Sequence, residues 1–384
     1  MARRSLVSPR LGVWAAAGAA GTAGTAGNLR SPGAGVKTCY HAGVDVTPTG
    51  DGGRPAPGDG AAGDLPDLEA LLREEARRIL RRELPGLEEA VPLAPLCAYG
   101  VGGPAEFLFR ARTTGELVHA VLTARELGLP VTVLGRCTNV LIADEGLPGL
   151  TVLVRSEGRS LDADNVLRVE AGAELPGLVA DLARQGLAGL EFAGNIPGSV
   201  GGDVVGNAGA YGQAVSDVLV EVHLLEEGKE HVVTPDRLAF GYRTSLLKDH
   251  PHIVVLSAAF ALRPGDPGAL REQLARDAER RRRRHPLEYA SCGSYFKNPS
   301  RDLPAARLIE EAGLKGLRVG RARVSEKHAN FLVAEPGATA ADILALAEEV
   351  KRRVREHSGH ELVEEVRRLG FAATPPAPAA GPRT

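Results

Sequence analysis

Residues 191–212, EFAGNIPGSVGGDVVGNAGAYG, are the strongest constraint on how this chain can fold. Four glycines and a proline fall within the nine residues from Gly194 to Gly202. Glycine lets backbone N–H groups crowd an anion with no Cβ in the way, and it permits positive φ. A second segment with this capacity, Gly135-Arg136-Cys137-Thr138-Asn139, follows the apolar run VTVL (131–134). Neither segment is a GxGxxG turn opening a helix, and neither is a Walker loop. Taken alone, each is more often a structural turn than a ligand cradle. The glycine density of 194–202 is harder to assign to ordinary loop chemistry.

Around these segments the chain alternates strands and helices. Leu68, Leu71, Leu72, Ile79 and Leu80 fall at helical spacing and predict one amphipathic helix over 67–84. Thr113 followed by Glu116 is a capping-box pattern that opens a helix running to Leu127. Short apolar runs predict strands at 131–134, 140–142, 151–154 and 166–169, then a helix over Leu175–Gln185. Further strands are expected at 218–225, 230–234 and 253–262, and a helix from Gly268 to Arg284 leads into a C-terminal unit. That unit reads as a helix at 304–312, a strand at 328–334, a helix at 339–357 and a strand at 361–368.

The expected organisation is therefore a domain over 63–265 and a smaller one over 266–370. Residues 1–62 are Gly-, Ala- and Pro-rich without periodicity and read as a disordered extension, as does the tail over 371–384. The opening MARRSLV, followed by LGVWAAAGAAGTAG, loosely imitates a twin-arginine signal. Met1 is the one methionine, which leaves a wrongly assigned start as another reading.

Composition narrows the function. With 43% apolar residues and a formal net charge of −2, the chain has no bias toward nucleic acid. Its four cysteines (Cys39, Cys97, Cys137, Cys292) lack the paired spacing of a zinc site or a dense disulfide framework, so no metal is expected. The longest apolar stretch, Ile253 to Leu262, is about half of what a bilayer span needs.

Seven motifs occur in order: YGVGGPAEF (99–107), GNIPGSVGGDVVGNAGAYG (194–212), AFGYRTS (239–245), GSYFKNP (293–299), LIEEAGLKG (308–316), VSEKHANFLV (324–333) and EEVRRLG (364–370). In content and order they resemble the UDP-N-acetylenolpyruvoylglucosamine reductases, over residues from about 92 to 370. The resemblance implies an α+β fold, with an FAD-binding domain of the vanillyl-alcohol-oxidase type and a smaller C-terminal α/β substrate domain. It also implies FAD and NADPH as cofactors, a nucleotide-sugar substrate, a cytoplasmic location and a monomer. On the family's pattern, FAD contacts would fall at Gly102, Gly103, Gly135, Arg136, Cys137, Thr138, Asn139, Gly198, Ser199, Gly201, Gly202, Asn207 and Ala210. One departure stands out. Where the family usually reads Gly-Gly-Gly-Ser-Asn, this chain has Arg136 and Cys137 in place of two glycines and Thr138 in place of serine. A side chain at a position that needs positive φ costs about 1 kcal/mol or more. Arg136 would offset part of that by directing charge toward a phosphate.

The implied reaction adds hydride to an enolpyruvyl ether and needs a cation at the carboxylate and an acid over the α-carbon. By resemblance Ser294 is that acid, against the plainer reading that it caps a turn after Gly293. Arg243 would pair with the carboxylate, and Glu365 would polarise the enolpyruvyl group as a neutral acid. Strand alternation places Glu365 with Val363 and Arg367, on the face opposite Glu364. Tyr211, Tyr242, Lys297, Asn298 and Lys315 are candidates for the UDP-sugar. The run Arg280–Arg284 reads as a solvated helix end, Cys292 as a small buried residue, and His328 as structural. Two other functions fit parts of the pattern. One is a sugar or alcohol oxidase of the same fold, with flavin tethered through Cys137. The other is a non-catalytic flavin or nucleotide-sugar binding module.

Overall fold

The computed structural model describes residues 68–371. The expected extension over 1–62 and the tail beyond Phe371 lie outside the described residues.

Helix α1 (Leu68–Glu83) turns into strand β1 (Glu88–Pro92), which pairs antiparallel with β2 (Pro104–Ala111). Only the C-terminal half of α1 packs. Leu80 and Leu84 are fully buried, whereas Leu71 and Leu72 are exposed, so the expected amphipathic face is real for half its length. Helix α2 (Thr114–Glu126) starts as the sequence predicts, the Thr113 hydroxyl accepting from the Glu116 N–H at 3.1 Å. The returning carboxylate of Glu116 accepts from the Arg112 N–H rather than from Thr113. Strands β3 (Val131–Leu134), β4 (Val140–Ile142) and β5 (Leu147–Val154) follow, giving a sheet in the order β1-β2-β5-β3. Strand β5 pairs in parallel with both neighbours and is apolar at nearly every position, as a strand covered on both faces should be.

A second, antiparallel sheet has five strands. Strand β6 (Arg159–Leu161) edges β7 (Val166–Glu170), and helix α3 (Leu175–Arg184) leads through β8 (Leu187–Ala188) into the glycine stretch. There the chain forms a helix the sequence does not predict, α4 (Val200–Gly206), and a small hairpin of β9 (Gly209–Ala210) and β10 (Gln213–Ala214). Strands β11 (Leu219–Glu226) and β12 (Lys229–Val233), the one-turn helix α5 (Leu246–Asp249) and strand β13 (Val254–Ala261) complete the order β12-β11-β13-β7-β6. A continuous apolar core joins both sheets to α2 and α3 through Phe107, Leu117, Val152, Leu178, Phe192 and Leu256.

Strand β14 (Arg263–Pro264) pairs with β8 and leads into helix α6 (Pro267–Arg284), capped by Asp266 accepting from Ala269 N–H at 2.7 Å. The rest consists of α7 (Ala305–Glu311), the three-stranded β15 (Arg318–Val319), β16 (Ala322–Val324) and β17 (Leu332–Ala334), helix α8 (Ala340–Ser358) and β18 (Arg367–Leu369). Two expected strands are much shorter than predicted. Residues 328–331 form a turn, and in 361–368 only the end is regular strand. The remainder of 361–368 is held by single contacts: a bridge from Glu364 to Phe296 and hydrogen bonds from Lys297 N to Val363 O and from Glu365 N to Tyr295 O, both 2.8 Å. Strand β18 then pairs in parallel with β4, immediately after the 135–139 loop. A second apolar core, built on Phe296, Leu308, Leu332 and Leu346, takes in Tyr99, Val101 and Leu141 from the amino-terminal part. The described residues 68–371 belong to one compact unit.

Candidate active site

These pairings bring both glycine segments and the C-terminal strand to one cavity of about 620 Å³. Its wall includes Gly135, Arg136, Cys137, Thr138 and Asn139 from the first segment, and Gly198, Ser199, Gly201, Gly202 and Ala210 from the second. Arg243, Ser294 and Glu365 line the same space. The two segments touch: a Cβ on Gly135 would overlap the Ser199 hydroxyl. Two further glycines have a different purpose. A Cβ at Gly206 or Gly293 would meet nothing within 4 Å, so both leave bare backbone facing the open cavity. Glycine inside a helix as short as α4 costs about 1 kcal/mol against alanine, and at Gly206 no packing neighbour requires it. A volume within the usual range of about 300–1,000 Å³ for cofactor sites and a wall of bare backbone fit a bound dinucleotide.

Five left-handed non-glycine positions fall in these motifs, Asn207 and Ala239 among them. Cys137, Tyr211 and Arg243 have φ of 52°, 55° and 56°, left-handed values that cost a residue with a side chain. The departure from the family's glycine loop is therefore borne at Cys137, whereas Arg136 has no such φ. The Arg136 guanidinium reaches away from the loop to Glu157, at 2.7 Å.

Arg243 sits in a tight turn closed by Gly241 and Thr244, whose backbones exchange hydrogen bonds of 3.0 and 3.3 Å. Its Nε lies 3.2 Å from Glu365 Oε1, close but without hydrogen-bond alignment. Burial raises the Glu365 carboxyl pKa, and the positive charges of Arg243, Lys248 and Lys297 pull it back only in part. The backbone carbonyl of Glu365 receives the Asn139 amide at 3.5 Å and the Lys248 ammonium at 3.4 Å. Glu364 points the other way, to Lys351 and Arg368, while Arg367 joins Glu365 at the cavity. The alternation expected around Glu365 thus holds, except that Val363 is exposed. Ser294 is half-buried at the cavity wall, placed there by the pairing of 295–297 with 363–365.

Other expected residues stand off the wall. Gly103 packs so tightly that a Cβ would overlap the Asp144 carbonyl, and Gly102 lies against Ile142. Asn207 caps α4 with φ 46°, donates to Gly241 O at 2.9 Å and accepts from Ser216 N–H at 3.1 Å. It grips the turn that carries Arg243. Asn207→Gly keeps the backbone conformation but loses both bonds. It should cost about 1–3 kcal/mol in denaturant unfolding and lower turnover while flavin content is retained. Loss of flavin on that substitution would make Asn207 a cofactor contact instead. The Asn298 amide oxygen accepts from Ala305 N–H at 3.0 Å, at the start of α7. Lys315 pairs with Glu310 at 2.6 Å. Tyr242 and Tyr211 are exposed, and the Arg243 and Arg280 guanidiniums lie 5.8 and 5.5 Å from their respective ring centres.

The sequence reading missed four charged residues of the wall: Asp203, Lys248, Arg281 and Arg367. Arg281 corrects the reading of its run as wholly solvated. Arg282 and Arg283 do pair with Glu279 on the surface, but Arg281 turns inward and donates to Asn195 O at 2.7 Å. Nothing in RRRRR marks which arginine does so, since the helix face facing the cavity is set by α6 docking on α3. Cys292 donates to Val140 O at 3.4 Å, and burial pushes its thiol up to about 12, so it is inert. His328 is half-buried, its ring packed edge-on against His285 and Phe331.

Residues 105–234 match a model for an FAD binding domain, and residues 285–369 match the C-terminal domain of UDP-N-acetylenolpyruvoylglucosamine reductase. The reductase of Rubrobacter xylanophilus is 47% identical over 292 residues, covering 76% of this chain and 98% of that protein. The protein of the same name from Synechococcus sp. WH7803 is 43% identical, covering 74% and 94%. The crystal structure of the Thermus caldophilus reductase superposes with a TM-score of 0.63 at 36% identity, covering 74% of this chain and 98% of that one. The shared motifs, the cavity they build and this similarity along almost the whole length of its relatives agree: the chain belongs to the UDP-N-acetylenolpyruvoylglucosamine reductase family.

Proposed function

We propose that Arg243, Ser294 and Glu365 are the catalytic residues by which this chain reduces the enolpyruvyl ether of UDP-N-acetylglucosamine to UDP-N-acetylmuramate, a step of peptidoglycan precursor synthesis. The observation that carries this reading is the meeting of Arg243, Glu365 and Ser294 in the cavity walled by both glycine segments. The 135–139 and 198–210 segments would hold FAD, which when bound would supply the hydride at the expense of NADPH.

Each residue has a distinct task. The Arg243 guanidinium pairs with the substrate carboxylate and holds the double bond in place. Its misaligned contact with Glu365 leaves its donors available for that purpose. Glu365, biased toward its neutral form by burial, donates a hydrogen bond that stabilises charge growing on the enolpyruvyl group. Ser294 gives its proton to the α-carbon, a carbanion-like base strong enough to take it. Lys297 and Lys248 supply positive charge beside Glu365 and the diphosphate of the substrate. Tyr211 and Tyr242, exposed at strained or tight turns, are placed to close over the UDP-sugar.

The same reading puts the enzyme in the cytoplasm, where its nucleotide-sugar and NADPH are made, and takes it to be a monomer, as the family resemblance implies. Among the described residues no helix is long and apolar enough to cross a membrane. Purified protein should oxidise NADPH rapidly only when the enolpyruvyl UDP-sugar is present. Bleaching of the flavin by a simple sugar in the absence of NADPH, with peroxide formed on admitting oxygen, would favour the oxidase reading. Absence of bound flavin would favour the binding module.

A further inference from the structure

Three buried thiols lie near the cavity, and two of them, Cys97 and Cys137, share one apolar cluster. Cys97 follows the 3-10 turn Ala94–Leu96, and Cys137 lies in the cavity loop 135–139. The N–H of the next residue, Ala98, donates to Cys137 O at 3.1 Å, which sets the two backbones side by side. Both residues sit in one small apolar cluster with Leu93, Leu134 and Ile142, and the Cys137 thiol points at the Gly135 carbonyl at 3.9 Å. Neighbouring backbones with facing side chains are the arrangement a disulfide requires. Cys137 also belongs to the cavity wall, which is the route by which peroxide would approach it. Cys292 is committed to the Val140 carbonyl, and no metal-binding group of His, Cys, Asp or Glu exists among the described residues.

We propose that Cys137 and Cys97 form a peroxide-sensitive dithiol that closes into a disulfide and pins the cavity loop. The reading rests on that loop holding FAD. The electrostatics favour Cys137 as the attacking sulfur. The neighbouring Cys97 thiol lowers its pKa, and the positive charge of Arg155 adds to this, while Cys97 is raised by the same pairing and by burial. Arg155 is fixed by donating to Gly135 O at 2.8 Å, at the start of the loop.

The chemistry balances with hydrogen peroxide as oxidant. The Cys137 thiolate attacks one peroxide oxygen, the O–O bond breaks, and sulfenic acid forms as hydroxide leaves and is protonated to water. Cys97 then gives up its proton and attacks the sulfenic sulfur, the S–O bond breaks, and a second water leaves. Two thiols lose two electrons in all, and one peroxide becomes two waters. The disulfide fixes residue 137 in its left-handed conformation and so prepays part of the ordering that FAD binding demands.

The test uses the flavin-loaded full chain treated with a few equivalents of hydrogen peroxide. Non-reducing peptide mapping should yield one cross-linked pair, Cys97 with Cys137, lighter by two hydrogens and released by dithiothreitol. Flavin release, followed by fluorescence, should slow by roughly tenfold after oxidation and recover on reduction. Cys97→Ser should leave basal turnover unchanged. Under the same treatment it should carry a hyperoxidised Cys137 and no cross-link. A map with Cys137 hyperoxidised in the parent protein, or with Cys292 in the bridge, overturns the proposal. So does an unchanged flavin-release rate despite the correct bridge. Because the map is read by mass, it stands apart from the FAD reading, whose failure would appear as protein without flavin.

Discussion

Ser294→Ala is expected to separate the two halves of the catalytic cycle. NADPH should still bleach the bound flavin at close to the parent rate, because no proton to substrate carbon is involved in that half. Return of the flavin absorbance on adding the enolpyruvyl UDP-sugar should slow by roughly 10²–10⁴-fold, the usual worth of a positioned acid. Ser294→Cys keeps a donor at the same atom and should recover part of the loss. Stopped-flow absorbance resolves both halves. The position itself argues for the assignment: residues 295–297 are zipped to 363–365, so Ser294 is delivered to the wall beside Glu365 by backbone bonds that the substitution does not touch. Equal slowing of both halves would make Ser294 a structural residue.

How far the site was legible depends on the range of the interactions that form it. Thr113 as a helix cap, β3 as an apolar run and α8 with its Thr339 cap are local, and the sequence specifies them without help. The helix α4 was not legible, since Gly201, Gly202 and Gly206 argue against helix and only the packing of Val200 and Val204 into the core sustains it. The over-long strands at 328–334 and 361–368 share one cause. Their residues are strand-like in type, but continuous ladder partners exist only for Leu332–Ala334 and Arg367–Leu369, with a single bridge at Glu364. In the site, the motifs pointed to Arg243, Ser294 and Glu365, and the face alternation correctly set Glu365 and Arg367 apart from Glu364. Motif membership carried less meaning for Asn207, Asn298 and Gly103. Their side chains or bare backbones meet other parts of the protein, and sequence order does not distinguish that use from ligand contact. Inward-facing Arg281 and Asp203 were invisible because burial is a property of the assembled fold.

Asp203 leads to the largest expected effect on stability. It is buried in the first turn of α4, its carboxylate packed on Gly198, where a Cβ would come within 2.6 Å of it. Oδ2 has no hydrogen-bond partner, and burial pushes the carboxyl up to about 8, with Arg243 too weak an influence to restore it. The folded-state value thus lies above the ordinary 3.8, so between about pH 4 and 8 the folded chain holds a proton that the unfolded chain has lost. Folding stability contributed here is complete below about 4, declines as pH rises through that window, and is lost above 8. At about 1.4 kcal/mol for each tenfold step in proton affinity, the full decline is on the order of 5 kcal/mol, an upper bound for a site that water can reach through the cavity. Asp203→Asn preserves the shape and cannot ionise. Its thermal midpoint, measured on flavin-loaded protein, should match the parent near pH 4 and exceed it progressively toward pH 8. FAD affinity should show the same sign, since an ionised carboxylate beside the segment that takes an anionic diphosphate repels it, and the parent alone should lose affinity as pH passes 8. A difference between the two proteins that is constant from pH 4 to 9 would mean that Asp203 is charged throughout and finds its compensation in Arg243.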